Sequence, residues 1–412
     1  MQKKIISFLC FCFLLTFAVQ AEQPKDSKRK TICLNMIVKD ESEVIERCLS
    51  SVKGLIDYWV IFDTGSKDGT QEIIKNYLKD IPGELHQSKW VDFEHNRNEA
   101  LMAAKNKGDY LLLIDADEIW QYADNFALET LDKDFYYAIV RQLGAADIKR
   151  ISLVNNHLNW KWNGVLHEVI ECPQAKTVGV LKGVMNICNA AVGARTKDPQ
   201  KYYKDALVLE KALKKDPMNS RYAFFLAQSY LNAEKYDIAV KKFQDRLAMA
   251  SNDPQETFFS YYNMGLAQQK MNDQDGALAT FFKAHEARPT RAEPLLRAAI
   301  IYREKKNYLL GYLLAKYALT LPYPSEDVCV EYLTYDHALL IEFANCTLLS
   351  GRFHEGLQAC AKLLANKNLP DQYKNQVIAN FELANAKVNE YNMMVQNLNN
   401  PSPYPNEKAM VE

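Results

Sequence analysis

Glycine is scarce in this chain, at 15 of 412 residues, about half the ~7% usual in globular proteins. That shortage argues against an all-β fold built on tight hairpin turns. With 23 Tyr and abundant Leu, Ala and Lys, it predicts a largely helical chain. An excess of charge of either sign is missing too. Lys plus Arg number 50 and Asp plus Glu 51, for a formal net charge of −1, so a protein that holds nucleic acid mainly through a basic surface is excluded. The nine cysteines are odd in number, widely scattered and never in C-x-x-C spacing, which argues against a disulfide framework or a zinc ribbon. Cys172 and Cys188 could pair across neighbouring strands or stand as buried free thiols. Neither G-x-x-x-x-G-K-[ST] nor G-x-G-x-x-G occurs, which weighs against a P-loop NTPase or a nicotinamide dehydrogenase. Beyond the N-terminus, no apolar run approaches the ~20 residues of a membrane span.

The N-terminus does carry such a run, though a short one. Lys3 and Lys4 precede apolar residues 5–19, and Val19-Gln20-Ala21 closes the segment. This is the layout of a secretory signal peptide over residues 1–21, with an uncleaved signal anchor as the alternative. Either implies export or entry into a secretory pathway. Residues 22–30 are polar and basic and read as a linker, and the Pro-rich residues 399–412 read as a disordered tail.

Between these ends, 412 residues suggest two or three domains. Short apolar runs at 31–38, 58–62 and 110–114 alternate with segments of helical periodicity near 44–52, 73–78 and 96–105. The stretch between 78 and 96 is polar. Such alternation predicts an α/β domain over residues 31–196 with a doubly wound, mostly parallel sheet. Strand signals continue at 137–140, 151–154 and 178–184. After Lys197-Asp198-Pro199 the pattern becomes helical, and Asp198 is placed to cap a first helix with Pro199 in its first turn.

Residues 197–398 repeat. Tyr222, Leu226, Ala227, Tyr230, Ala239 and Phe243 form one unit. Tyr261, Met264, Gly265, Ala277, Phe281, Ala284 and Pro289 form the next. Leu295, Ala298, Ala299, Tyr302, Gly311, Ala315, Ala318 and Pro322 form a third, and Phe343, Ala344, Gly356 and Leu363 mark a looser fourth. Gly265 and Ala299 are 34 positions apart, as are Ala277 and Gly311. Small residues where paired helices cross, with an aromatic in the second helix, are the signature of a tetratricopeptide solenoid. Its concave surface suits a protein or peptide partner.

Chemistry concentrates at the ends of the apolar runs. Asp40-Glu41 follows the first. Asp63 follows the second, with Gly65, Ser66, Asp68 and Gly69 in its turn. Asp115-x-Asp117 follows the third. Parallel sheets place ligands at the carboxyl ends of their strands. Carboxylates at i and i+2 there can grip a hard divalent cation that bridges phosphate oxygens, while an upstream acid can accept hydrogen bonds from a nucleobase or ribose.

In order, N-M-I-V-K-D-E, F-D-T-G-S-K-D-G-T and L-L-L-I-D-A-D-E resemble the family 2 glycosyltransferases of the GT-A fold. The resemblance runs from residue 31 to about 196. Trp162-Asn163-Gly164-Val165-Leu166-His167-Glu168 and the segment 197–206 resemble the branch of that family fused to tetratricopeptide repeats. The resemblance implies an inverting transfer of sugar from a nucleotide-sugar donor to a protein, peptide or glycan acceptor. It implies Glu41, Asp63, Arg97 and Asp115 as donor-binding residues, and Asp115 and Asp117 as ligands of Mn2+ or Mg2+. Asn96-Arg97-Asn98 resembles the family's A-R-N element, in which Arg97 either approaches the donor diphosphate or caps a neighbouring strand. His167 and Glu168 lie where the family puts acceptor-side groups. One of them would be the catalytic base, with His167 a further metal ligand, or the two form a structural pair. Trp160 and Trp162 could stack on a sugar or belong to a small core. The other histidines show no ligand spacing. Because the α/β domain is short for this fold, the repeats are expected to complete the acceptor site. The alternative function is a repeat-based protein-binding scaffold with a catalytically weak sugar-nucleotide-binding domain. A nucleotidyltransferase is a weaker reading, since no phosphate loop is present near the N-terminus.

Overall fold

The computed structural model describes residues 29–142, 147–188, 193–250, 253–324 and 329–399. The leader, nearly all of the linker and the tail from residue 400 lie outside the described residues.

The β-branched and aromatic runs become β1 (Ile32–Val38), β2 (Tyr58–Asp63) and β4 (Tyr110–Leu113), with α1 (Ile45–Val52), α2 (Thr70–Tyr77) and α3 (Phe93–Ala103) between and after them. The strands alternate as a pleated sheet requires. Ile32, Leu34 and Met36 point into one core with Ile45, Leu49 and Val52 of α1. Cys33, Leu111 and Leu113 point into a second core with Ala100 and Leu101 of α3. Burial on both faces explains why these strands read as unbroken apolar runs.

The polar stretch before α3 contains one further strand, β3 (Gly83–Gln87), paired with β2 at the sheet edge. Its sequence, Gly-Glu-Leu-His-Gln, is only partly buried, so it lacks an interior strand's apolar signal. The chain continues through β5 (Glu118–Tyr122), β6 (Phe135–Gln142), β7 (Ile148–Asn155), β8 (Lys161–Asn163), β9 (Val169–Glu171) and β10 (Val178–Cys188). The large sheet has the order β3-β2-β1-β4-β7-β6-β10-β5, and β8 and β9 form a separate ribbon. The pairs β1–β2, β2–β3, β1–β4 and β6–β10 are parallel, while β7 and β5 enter antiparallel. The seven described cysteines are free thiols, Cys172 and Cys188 among them.

A 3-10 turn, Ala194–Lys197, leads into the helices. The first, α4 (Lys201–Lys215), begins later than the Asp-Pro pair suggests. Asp198 does not cap it. Its carboxylate instead accepts from the Gln200 N–H at 2.9 Å and the Lys204 ammonium at 2.6 Å. Helix pairs follow: α5 (Ser220–Asn232) with α6 (Tyr236–Leu247), α7 (Pro254–Lys270) with α8 (Gln274–Ala287), α9 (Glu293–Glu304) with α10 (Tyr308–Ala318), and α11 (Leu339–Leu349) with α12 (Phe353–Ala365). The long α13 (Asp371–Asn399) packs on α12. The small residues sit where close approach demands them. A Cβ on Gly265 would lie 2.6 Å from the Phe281 ring, and one on Gly311 would lie 3.1 Å from the Ala299 carbonyl oxygen. Among the described residues, no helix is long and apolar enough to cross a membrane.

Candidate functional site

The carboxyl ends of β1, β2 and β4 open into one cleft. The first two strand exits are laced together by their own polar side chains. Asp40, at φ 55°, donates its N–H to the Ser66 hydroxyl at 2.8 Å, and its carboxylate accepts from the Lys67 N–H at 2.8 Å. The Glu41 N–H donates to the Thr70 hydroxyl at 2.9 Å. Gly65 and Gly69 carry φ of 115° and 91°, values that side chains rarely adopt, so both glycines of the turn are dictated by its path.

Asp63 is buried. One carboxylate oxygen accepts from the backbone N–H groups of Gly65 and Ser66, each at 2.7 Å. The other, Oδ2, is buried without a hydrogen-bond partner. A buried carboxylate oxygen left unpaired is costly, and a ligand donor would satisfy it.

Glu41, Asp115 and Asp117 share one electrostatic field. Burial, then the negative charges of Asp117, Asp115 and Asp68, push the Glu41 carboxyl up to about 7, although the Ala194 N–H donates to it at 3.3 Å. Burial, then the charges of Asp115 and Glu118, push Asp117 up to about 6. Asp115 goes the other way. Burial opposes its charge, but the guanidinium groups of Arg97 and Arg150 outweigh that and hold its carboxyl below the ordinary value. Glu118, just past the D-x-D, is buried and satisfied by Arg150 and by the Asn186 amide.

The Asn96-Arg97-Asn98 element on α3 assigns one task to each residue. The Asn96 amide holds the preceding loop, accepting from the Val91 N–H at 3.0 Å and donating to the Lys89 carbonyl at 3.1 Å. Asn98 pairs with the Trp162 backbone as a strand would, donating to its carbonyl and accepting from its N–H, each at 2.9 Å. Arg97 points into the cleft. Its Nε donates to Glu168 Oε1 and its terminal nitrogen to Asp115 Oδ1, each at 2.7 Å. The guanidinium lies over the Trp162 ring, 4.9 Å from its centroid. Arg97 therefore joins the D-x-D to the W-N-G-V-L-H-E loop. One face of Trp162 is taken by that cation. Trp160 packs edge-on against Phe135 and donates to the Asn155 carbonyl.

His167 stands apart from the acids. At φ 53°, it stacks flat on Phe225 of α5, with centroids 3.8 Å apart and planes 9° apart. Arg221 covers Phe225 at 4.9 Å and donates to the His167 carbonyl at 3.2 Å. Crowding by the surrounding protein, then the charges of Arg221, Arg195 and Lys201, push the imidazole down to about 4. Val165 and Leu166 pack with Phe224 and Tyr222, and the Val165 N–H donates to the Tyr222 hydroxyl at 3.2 Å. The loop that carries Glu168 is thus seated on the first repeat.

Among the described residues, no group of three or more His, Cys, Asp and Glu side chains is arranged to hold a metal ion. The cleft still suits a hard cation. Asp117 and Glu41 are oxygen donors whose carboxyls are raised by burial and then by neighbouring carboxylates, Asp115 among them, so a divalent ion held by Asp115 and Asp117 would relieve repulsion already present. Sequence reasoning passed over Asn98, Arg150, Arg195, Lys201, Arg221 and Phe225. Of these, Asn98 and Lys201 stood within segments that carry the family resemblance, but without a role of their own.

A strand-end acid cleft on a mostly parallel sheet, followed by crossed helix pairs, defines the class. Residues 33–171 match the glycosyl transferase family 2 profile, and helix pairs with the crossings expected of tetratricopeptide repeats follow them. A TPR repeat-containing protein of Synechococcus elongatus is 42% identical over 88 residues, which cover 21% of this chain and 20% of that protein. The SPbeta prophage-derived glycosyltransferase SunS of Bacillus subtilis is 35% identical over 95 residues, covering 23% of this chain and 22% of that protein. The chain thus spans about a fifth of the length of these curated relatives. A crystal structure of MamA aligns over 45% of this chain and 82% of its own, with 13% identity and a TM-score of 0.31.

Proposed function

We propose that the protein is an inverting, cation-assisted glycosyltransferase that moves a sugar from a nucleotide-sugar donor to an acceptor on the side of the first repeat. The bridge Asp115–Arg97–Glu168 carries this reading. It sets a carboxylate of the acceptor-side loop at a fixed place relative to the donor acids, and that loop rests on α5. Asp63 Oδ2 and Glu41 would accept hydrogen bonds from the nucleoside. Asp115 and Asp117 would hold Mn2+ or Mg2+, which when bound neutralises charge on the departing diphosphate.

Glu168 is the base in this account. Arg97 engages its Oε1 and leaves Oε2 to take the proton of the acceptor hydroxyl. The acceptor oxygen forms its bond to the anomeric carbon as the bond from that carbon to the diphosphate oxygen breaks. The proton ends on Glu168, the electron pair leaves with the nucleoside diphosphate, and the anomeric configuration inverts. His167, stacked on Phe225 among three cations, is assigned to packing the loop rather than to the metal or the base. A protein or peptide acceptor fits best, because the acceptor-side loop is continuous with a repeat surface of the kind that holds chains. The leader fits an enzyme that meets its donor in an exported or secretory compartment.

The test is turnover of sugar nucleotides by residues 22–412 with manganese, read as nucleoside diphosphate release. Glu168→Gln should lose transfer while still binding the nucleotide. Unchanged transfer by Glu168→Gln removes the base assignment. A wild type that turns over no sugar nucleotide favours the scaffold reading.

A further inference from the structure

Arg97, which the sequence offers either to the donor diphosphate or as a cap on a neighbouring strand, is already spent on two carboxylates. A diphosphate leaving group needs another positive partner, and the segment joining the two domains supplies one. Gly193 lies against Asp117, so close that a Cβ there would sit 2.7 Å from Oδ2. The next residue, Ala194, donates its N–H to Glu41 at 3.3 Å. Lys197 pairs with Glu43 at 2.6 Å. Residues 193–197 thus run along the rim of the acid cleft, and α4 starts at their end with Lys201.

Two cations stand here in different states. Arg195 is bound to Asp205 of α4 and lies over Phe93 at 4.9 Å, which fixes it in place. Lys201 is half-buried, and among the described residues its ammonium makes no hydrogen bond or ion pair. Its ammonium only passes over the Tyr202 ring at 5.1 Å. Burial, then the charge of Arg195, lower its affinity for a proton, while Asp117 and Asp205 act to retain it. An unpaired, partly desolvated ammonium held near a second cation is unfavourable until an anion arrives. The same field reaches His167, which feels both Lys201 and Arg195. Lys201 stands one helical turn before Asp205 in α4, so it shares a face with the carboxylate that holds Arg195. It sits at the end of the segment that touches Asp117 and Glu41, on the side where a donor's diphosphate would meet the acids.

We propose that Lys201, with Arg195 fixed beside it, is the diphosphate-binding cation of the donor site. This rests on the sugar-nucleotide reading of the cleft. It makes the first helix of the repeat region part of the donor site, so neither domain holds the donor alone.

The test is calorimetry on the full chain with manganese, using uridine, guanosine, cytidine, adenosine and thymidine diphosphates and the matching nucleosides. For whichever diphosphate binds the wild type, Lys201→Met should weaken it about tenfold to a hundredfold, with the nucleoside's affinity unchanged and the melting temperature preserved. Lys201→Arg should retain most of the diphosphate affinity. Equal diphosphate binding by Lys201→Met and wild type overturns the assignment and leaves the donor reading standing. Equal loss of diphosphate and nucleoside affinity overturns it too, as general damage. If the wild type binds none of the five diphosphates, the donor reading falls, and the assignment with it.

Discussion

The two halves of this molecule bury charge in opposite ways. In the repeats, Arg291 and Glu293 are buried together. Two nitrogens of Arg291 donate to Glu293 at 2.7–3.1 Å, the Tyr335 hydroxyl donates to Glu293 at 2.8 Å, and the guanidinium lies over Phe258 at 4.6 Å. Arg303 and Glu342 pair at 2.7 Å, and Arg246 and Glu256 at 3.3 Å. In the sheet domain, Glu41 and Asp117 are raised by burial and then by like charge, Asp63 keeps an unpartnered buried oxygen, and Lys201 of the adjoining helix waits nearby without a carboxylate. Paired charges fix how helices stack. Unpaired charges gathered at strand ends mark where something else binds.

That contrast can be broken by substitution. The largest expected effect is at the D-x-D. Asp115→Asn and Asp117→Asn should each lower sugar transfer by at least a thousandfold, measured as nucleoside diphosphate release. Asp117→Asn should melt no lower than wild type, because it removes a repelled charge. Loss of stability in Asp117→Asn would mean that the acid is structural.

The mirror experiment is Arg291→Met. Leaving Glu293 buried without its cation should cost about 3–5 kcal/mol in denaturant unfolding, while nucleotide affinity of the folded fraction stays unchanged. A cost below about 1 kcal/mol would show that the repeats do not depend on the pair.

A smaller effect follows from pH. Glu41 and Asp117 have folded values raised from 4.5 to about 7 and from 3.8 to about 6. A carboxyl raised on folding contributes stability that is present below its unfolded value and lost as pH rises through its folded value. The ligand-free protein should therefore lose stability between about pH 4 and pH 7, by roughly 1–3 kcal/mol. Glu41→Gln should flatten the curve. A melting temperature that rises over this window in wild type would contradict the raising of these two carboxyls by burial and neighbouring charge.

The smallest effect concerns the seam. Phe225→Ala removes the ring beneath His167 and should raise the acceptor KM a few-fold, with donor hydrolysis unchanged. Equal loss of both would place the repeat's influence on the whole site rather than on acceptor placement.

Sequence disclosed most of the scaffold because the interior strands are apolar on both faces and the repeats need small residues at fixed crossings. It placed Asp63, Asp115 and Asp117 at strand ends, because position after an apolar run is a local signal. It missed β3, whose edge position leaves a mixed polar sequence. It misread Asp198, whose carboxylate binds Gln200 and Lys204 instead of capping α4. The partners of Arg97 were hidden for another reason. Glu168 lies 71 residues away and Asp115 18, and no local pattern encodes a contact made by folding. Lys201 was illegible in the same way, since one lysine in a helix rich in lysine carries no mark until burial and neighbours are known.

The most direct test of the central claim is titration of the full chain with nucleoside diphosphates, with and without manganese, in wild type and Asp117→Asn. The account predicts that at least one nucleotide binds wild type far more tightly with manganese, and that Asp117→Asn removes this gain. Binding that ignores manganese, or a gain that survives in Asp117→Asn, would contradict it.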